Sequence, residues 1–407
     1  MGVVSPIGVG TENFWQSLLD RTNGVRDREG FEQVESPFRI AARVRDFDAK
    51  QYVKPRKALK IMCEPIQYAC AAAAMAFEQA QIDKTTISPD RIGTIFGTES
   101  FFANPREVSD AFQHCLVDGK FDYDRWGEIG MKEIQPLWML KYLPNMAASH
   151  IAISIDARGP SNSICQGEVS GLLALIEAAD LIQRGVADVV LTGGTGSQME
   201  LSAMLTRGCQ NLTRRIHDPE HACRPFDRDR DGTVNGEGAG ALVIESAEHA
   251  SARGASPLAR LAGWSRSFQS PGDRQFPLAI QQSFESTLDH AKMTPADIGL
   301  VNANASGSVR GDLVEAIAIE QVFGDTPVVA HKGNFANLGA ATSIVELIGA
   351  VLAVQHGEVP PTLNCDFVDP ECHVNVVTSK SSMEQTGIIK SSFSSSGQIS
   401  SVIVQRD

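Results

Sequence analysis

The stretch RPFDRDRDGTVNGEGAGALVIE (224–245) decides the fold of this 407-residue chain. A charged run leads into a Gly-Glu-Gly turn, and AGALVIE (239–245) then predicts a strand. Further strands are predicted by IGTIFGT (92–98), DVVLTGG (188–194), LVNANA (300–305) and PVVAH (327–331). GLLALIEAADLIQRG (171–185) and GAATSIVELIGAVLAVQHG (339–357) predict helices so apolar that we expect both to be buried on nearly all sides. Strands that alternate with helices are typical of an α/β layered fold.

Two glycine-rich turns suggest nucleotide binding, but their spacing argues against it. Neither GGTG (193–196) nor GEGAG (236–240) gives GxGxxG with an acidic residue at a second strand end, nor GxxxxGK[ST]. We interpret both as tight turns, and we predict no cofactor.

Composition narrows the class of protein. With 43% hydrophobic and 21% charged residues, the chain can bury a large core, and we expect two similar halves. The sequence lacks a run of about 18 apolar residues and a basic, apolar opening segment, so we expect no membrane span and a cytoplasmic protein. Eight cysteines without a CxxC pair make zinc sites and a disulfide framework unexpected. The net charge of −13 argues against nucleic acid as a partner.

Four long stretches carry a resemblance to one family. They are GVVSPIGVGTENFWQSL (2–18), the stretch 224–245, VNANASGSVRGDLVEAIAIEQVFG (301–324) and HKGNFANLGAATSIVELIGAV (331–351). Together they resemble the β-ketoacyl synthases, the condensing enzymes. The resemblance implies a thiolase-like fold, internally duplicated, with α-β-α-β-α layers. It divides the chain into halves 1–248 and 249–407, with a cap and dimer-contact insertion near 100–147. Because the first motif begins at Gly2, a native start upstream of Met1 stays open.

The chemistry of that family needs a Cys-His-His triad, which this chain replaces. Family spacing from Gly159 to the run 187–194 puts Glu168 at the cysteine's position, while Cys165 lies three residues earlier. The reactive thiolate of the family caps a buried helix, here predicted over 169–184, where amide N–H groups and the helix dipole favour negative charge. A carboxylate suits that electrostatic environment, but it is a far poorer acyl acceptor.

The two histidine positions are taken by Asn304 and Asn337. An asparagine donates hydrogen bonds but carries no proton, so acid–base catalysis is lost there. Lys332 remains at its family position, and we interpret it as a structural salt-bridge partner rather than a base paired with His331. Taken alone, a glutamate at a helix start is usually a cap, and an asparagine in a loop is usually a turn residue.

A further departure lies in SSFSSSGQISSVIV (391–404), which replaces the family's glycine-rich gating loop. Counting from Phe393, the gating phenylalanine becomes Ser395. Serines stiffen a loop that normally swings when an acyl chain arrives, which argues against a normal acylation cycle.

These replacements favour a subunit that resembles a chain length factor. Such a subunit pairs with an active ketosynthase and shapes the tunnel for the growing chain in polyketide or fatty-acid-type biosynthesis. The resemblance implies a heterodimer with segment 150–168 at its two-fold axis. Since chain length factors commonly carry Gln where this chain has Glu168, alternatives stay open. One is an enzyme that uses Glu168 as acid or base on an acyl thioester, for hydrolysis, dehydration or cyclisation. Another is a homodimeric binding protein. Acyl carrier proteins are acidic, so we expect docking mainly through the partner subunit.

Overall fold

The computed structural model describes residues 1–100, 103–207, 211–270, 276–383 and 387–406. In chain order the strands of this part are β1 (Gly2–Ser5), β2 (Gly8–Val9), β3 (Val25–Asp27), β4 (Ile40–Ala42), β5 (Ile92–Gly97), β6 (Leu116–Val117), β7 (Lys120–Phe121), β8 (Ser161–Ile164), β9 (Val189–Ser197), β10 (Glu237–Glu245), β11 (Arg260–Phe268), β12 (Ile298–Asn302), β13 (Pro327–Val329), β14 (Glu358–Val359), β15 (Asn375–Val376), β16 (Ser381–Ser382), β17 (Gly387–Phe393) and β18 (Gln398–Gln405). The helices are α1 (Thr11–Leu19), α2 (Glu64–Ala80), α3 (Ser109–His114), α4 (Tyr123–Glu133), α5 (Met146–Ile155), α6 (Ser170–Gln183), α7 (Leu201–Arg207), α8 (Ala247–Ala252), α9 (Phe276–Ala291), α10 (Val309–Phe323), α11 (Lys332–Phe335) and α12 (Thr342–His356).

Two six-stranded sheets repeat one topology. The first runs β2-β1-β10-β9-β5-β8 and the second runs β11-β18-β17-β12-β13-β15. When β2 and β15 are left out, each sheet has five strands. Numbered along the chain, these five strands lie side by side in the order first, fifth, fourth, second, third in both sheets. The first two pairings of this order are antiparallel and the next two are parallel. This shared order confirms the internally duplicated thiolase-like fold. The division of the chain at residue 248 stays a prediction.

Helices α6 and α12 form the central layer between the two sheets. Both contact strands of both sheets, whereas α2 covers the outer face of the first sheet, and α9, with α10 packed against it, covers that of the second. One core cluster joins Leu172 of α6 and Ile344 of α12 to Leu242 of the first sheet and Ile388 of the second. The five layers α-β-α-β-α follow from these contacts, because a helix that is apolar all round must be covered on both sides.

The most apolar helix is a core element. Gly339–His356 is long and apolar enough to cross a membrane, but 89% of that stretch is buried inside the protein. Every residue from Thr342 to Val354 is buried. The prediction for 339–357 is therefore confirmed, with a 3₁₀ turn, Gly339–Ala341, ahead of the α-helix.

The interpretation of the two glycine runs as tight turns is wrong. GGTG (193–196) lies within β9, and all of GEGAG (236–240) except Gly236 lies within β10.

Two predicted strands end two or three residues earlier than expected. The strand predicted over 300–305 ends at Asn302. Ala303 N still donates to Val329 O of β13, but Asn304 N donates to the Glu315 carboxylate, 2.8 Å away, and so leaves the strand pairing. The strand predicted over 327–331 ends at Val329, and His331 already precedes α11. Both endings lie where candidate site residues begin.

The predicted insertion near 100–147 breaks the alternation of strands and helices. From residue 103 onward it holds α3, α4 and a small hairpin of β6 and β7, while 101–102 lie outside the described residues. Phe121 gathers the aromatic side chains here, with Phe112 stacked on it at 4.8 Å and Trp126 at 5.7 Å between ring centroids.

Candidate functional site

Glu168 lies at the entrance to the central layer. After β8 the chain passes Gly167, whose φ is +68°, into a 3₁₀ turn, Gly167–Val169, and α6 begins at Ser170. The helix thus starts one residue later than the predicted range 169–184. Ser170 Oγ accepts from Gln166 N at 2.8 Å and closes the turn. Glu168 is half-buried there, at the positive end of α6.

Asn337 is hydrogen-bonded to Glu168. Its Nδ2 donates to Glu168 Oε1 at 3.1 Å. Its Oδ1 accepts from Gly339 N at 2.9 Å and from Thr342 Oγ1 at 3.2 Å. Because both of these donors face the oxygen, the amide orientation is fixed and the NH₂ group is directed at the carboxylate. Asn337 therefore links the 3₁₀ turn ahead of α12 to the Glu168 turn ahead of α6.

Asn304 belongs to a different polar cluster. Its Oδ1 accepts from Lys332 Nζ at 3.2 Å and from Ser392 Oγ at 3.4 Å, and its backbone carbonyl also accepts from Lys332. Within the described residues no hydrogen bond joins Asn304 to Glu168. The structure thus pairs one of the two replaced histidine positions directly with the replaced cysteine position and ties the other to a buried lysine.

Lys332 is part of a buried ionic cluster. Its Nζ lies 3.0 Å from Glu346 Oε1, and Lys390 Nζ lies 2.8 Å from Glu346 Oε2. At most 1% of each of these three side chains is exposed. Burial opposes ionisation of Glu346, but the two ammonium groups hold its pKa below the usual value. Burial in turn lowers the pKa of Lys390.

Two buried carboxylates, Glu315 and Asp312, hold the loop that carries Asn304. Glu315 accepts from Asn304 N and from Ser391 Oγ, and burial raises the pKa of Glu315 to about 7. Asp312 accepts from the amides of Ser306 at 2.9 Å and Gly307 at 3.0 Å. In the described part of the chain these carboxylates bind backbone rather than line an open site.

His331 does not complement Lys332 as a base. It is 1% exposed, and its Nδ1 has no hydrogen-bond partner within the described residues. Burial lowers the pKa of His331 to about 4, so the ring is neutral at pH 7. The imidazole lies against Gly349 of α12, inside the core.

The segment at the gating position forms a closed hairpin. Ser394 N donates to Gln398 O at 2.9 Å, and Gly397 N donates to Ser394 O at 3.0 Å. Ser395 is exposed at its tip, whereas the ring of Phe393 packs edge-on against Phe276 at 5.6 Å. A Cβ on Gly167 would lie 3.4 Å from Ser394 Cβ, so this hairpin packs directly beside the Glu168 turn.

Cys165 does not replace the missing nucleophile. Its Sγ lies 3.2 Å from Thr98 Oγ1 and donates to the carbonyl of Glu99 at 3.7 Å. Burial raises the pKa of the Cys165 thiol, which lowers its thiolate fraction at neutral pH. The site can accept and donate hydrogen bonds, but it lacks the thiolate and the imidazoles that condensation uses.

Two charged residues of the site were missed by the sequence analysis. Lys390 lies inside the apolar run of β17, and a charge in such a buried strand was the available signal, because buried lysines are almost always paired. Glu99 lies two residues after the end of β5, and its Oε1 accepts from Ala340 N at 2.7 Å. Nothing local in the sequence marks Glu99, since its partner lies 241 positions away.

Comparison with known families decides the relationship. The N-terminal domain of β-ketoacyl synthases matches residues 1–250, and the C-terminal domain of the same family matches residues 267–366. The chain belongs to the β-ketoacyl synthase family. Among β-ketoacyl synthases, a 3-oxoacyl-[acyl-carrier-protein] synthase 2 of Staphylococcus aureus (strain COL) is 30% identical over 393 residues, covering 93% of this chain and 89% of the relative.

Two solved structures are similar to this β-ketoacyl synthase homologue over its whole length. The ishigamide ketosynthase/chain length factor is 26% identical with a TM-score of 0.84, covering 100% of this chain and 97% of the other. A ketosynthase in complex with its acyl-carrier protein from a type II polyketide synthase, bound to the hexaketide, is 25% identical with a TM-score of 0.83, at 100% and 97% coverage.

Proposed function

We propose that this chain is a non-condensing subunit, similar to a chain length factor, that pairs with an active ketosynthase and shapes its acyl-chain tunnel. The observation that carries the proposal is the hydrogen bond between Asn337 Nδ2 and Glu168 Oε1, at the two positions where a condensing enzyme has an imidazole and a thiol. A carboxylate held by an amide forms no stable acyl-enzyme, and an amide moves no proton. The proposed setting is cytoplasmic polyketide or fatty-acid-type biosynthesis.

The edge of the first sheet supports a paired assembly. Strand β8 is the last strand of its sheet, so one side of its backbone has no strand neighbour within the described residues. Ser161 and Asn162 are exposed at this edge. An unpaired edge strand is a template for strand addition from another chain. We propose that the ketosynthase partner adds its equivalent strand here, in line with the expected position of segment 150–168 at the two-fold axis.

A basic segment supports contact with an acyl carrier protein. Residues 49–63 contain five lysines or arginines and no acidic residue. All five are exposed, and none forms an ion pair in the described part of the chain: Lys50, Lys54, Arg56, Lys57 and Lys60. Such a patch attracts an acidic protein locally although the whole chain carries −13. We propose that carrier docking, expected mainly on the partner, also uses this segment.

Co-expression tests the proposal directly. The chain is produced with a candidate ketosynthase partner, the complex is analysed by size and mass, and condensation of carrier-bound malonyl and acyl groups is measured. Wild type, Glu168→Gln and Glu168→Ala are compared. We expect a stable one-to-one complex whose condensation survives both substitutions. A homodimer that turns over an acyl thioester only with Glu168 intact would overturn the proposal and would favour acid or base catalysis by Glu168.

A further inference from the structure

A cavity lies beside the Glu168 turn but does not include it. It is bounded by the start of α2, the end of β5 and segment 142–147, and its lining includes Ile66, Glu99 and Thr195. Pro144 also lines a groove along the edge strand β8, together with Ser161 and Asn162. One stretch of chain therefore forms the wall between the cavity and the proposed dimer seam.

The Glu99 carboxylate closes the cavity on the side of α12. Its Oε1 accepts from Ala340 N at 2.7 Å and from Gln198 Nε2 at 3.0 Å. Two glycines leave room for Glu99 Oε1. A Cβ on Gly339 would collide with this oxygen, and a Cβ on Gly196 would lie 3.0 Å from it. Gly339 has φ +61°, so glycine also suits the backbone there.

The same turn meets Glu168 on its other side. Asn337 and Ala340 are three residues apart, and the first binds Glu168 while the second binds Glu99. The backbone of Glu99 is itself held towards the Glu168 turn, since its carbonyl accepts from Cys165 Sγ. Both the main chain and the side chain of Glu99 thus stand between the cavity and the Glu168 turn.

An apolar chain cannot pass this point without a large loss. It would have to displace the Glu99 carboxyl group from its hydrogen bonds to Ala340 N and Gln198 Nε2 and leave that polar group against hydrocarbon. Passage in the other direction, between the cavity and the seam at Pro144, involves no such displacement of Glu99. The side of the cavity that faces Glu168 and the side that faces the seam therefore differ in chemistry.

We propose that Glu99 is a specificity-determining residue that ends the tunnel in this chain. This inference rests on the proposed function and names the residue at which the acyl-chain tunnel ends. An acyl chain made by the partner enters from the seam side and its tip stops at Glu99, so it never reaches Glu168. The length of apolar chain that the cavity holds is set by this side chain.

The experiment measures fatty-acid binding to the purified chain, without the ketosynthase. Saturated fatty acids from hexanoate to hexadecanoate displace a fluorescent fatty acid, and affinity is plotted against chain length. In wild type we expect a gain of about fourfold per methylene up to a limiting length, and no gain beyond it. Glu99→Ala removes the stop, so the gain continues to longer acids. Glu99→Gln keeps an oxygen acceptor for Ala340 N and retains the wild-type limit.

A matched control separates the effect of Glu99 on the limiting chain length from the general effect of losing a carboxylate. Glu285 is exposed on α9 and does not line this cavity, so Glu285→Ala removes a carboxylate without touching the cavity or the turn at Ala340. We expect it to leave the limiting length unchanged. An identical limit in wild type and Glu99→Ala, or no binding of any acid, overturns the inference; unfolding temperatures of the variants establish that each is folded. If no complex with a ketosynthase forms but Glu99 still sets the length limit, the proposed function is overturned and Glu99 remains the end of an acyl-binding cavity, because the binding assay does not use that partner.

Discussion

Asn337 Nδ2 and Glu168 Oε1 lie 3.1 Å apart, and this bond joins the starts of the two central helices. The two helices occupy equivalent places in the duplicated topology. Along the chain, α6 follows β8 and α12 follows β13, and these two strands have the same position in their sheets. At the positions where a condensing enzyme has a nucleophile and an imidazole, this chain has a hydrogen bond that links its two halves.

The Asn337–Glu168 hydrogen bond predicts an order of stability among three variants. Asn337→Ala removes the acceptor of Gly339 N and Thr342 Oγ1, so we expect a loss of about 1–3 kcal/mol from the unpaired groups. Glu168→Gln keeps the oxygen that accepts from Asn337, and we expect a change within about 0.5 kcal/mol. Glu168→Ala falls between them, because it leaves only Asn337 Nδ2 without its partner. Thermal unfolding of the three proteins checks the order, and Glu168→Ala as the least stable would contradict it.

The basic segment predicts salt-dependent binding of an acidic carrier protein. The triple variant Lys54→Glu/Lys57→Glu/Lys60→Glu reverses the local charge, so we expect weaker binding of the carrier to the complex and a smaller dependence on ionic strength. Titration of labelled carrier protein at two salt concentrations measures both effects. Lys292→Glu, at another exposed lysine, is the matched control and should change neither. Equal binding by the triple variant would place docking wholly on the partner.

The sequence patterns predicted the helices and layers of the fold better than they predicted the polar contacts of the site. The apolar runs at α6 and α12 predicted the central layer, since helices without a polar face must be covered on all sides. Family spacing predicted that Glu168 and Asn337 occupy one site, and the structure joins them. Glu99 escaped prediction because its partner, Ala340, is 241 positions away. Lys390 carries a signal, a charge inside an apolar strand, but that signal does not identify Glu346 as its partner.

The buried cluster around Glu346 predicts unequal effects of its members. Glu346→Gln leaves two buried ammonium groups without their carboxylate, so we expect a loss of about 3–5 kcal/mol. Lys390→Met leaves the Lys332–Glu346 pair in place and should cost clearly less. Urea unfolding followed by fluorescence compares the two midpoints with wild type. If Lys390→Met is as damaging as Glu346→Gln, then the bonds from Lys390 to backbone carbonyls, rather than the ion pair, dominate its contribution.

The raised pKa of Glu315 predicts a specific pH dependence of stability. Burial raises it to about 7 from the ordinary value of 4.5, so the folded state prefers the protonated carboxyl. Stability from this group is fully present below pH 4.5 and is lost as the pH rises to about 7, because the unfolded chain ionises first. Glu315→Gln keeps an oxygen for Asn304 N and carries no titration, so its unfolding temperature should fall less than that of wild type between pH 5 and pH 7.5. Glu285→Gln, at an exposed position of α9, serves as the control and should retain the wild-type slope. Parallel curves for Glu315→Gln and wild type would show that Glu315 is ionised in the folded protein throughout, held so by the ammonium groups of Lys390 and Lys332.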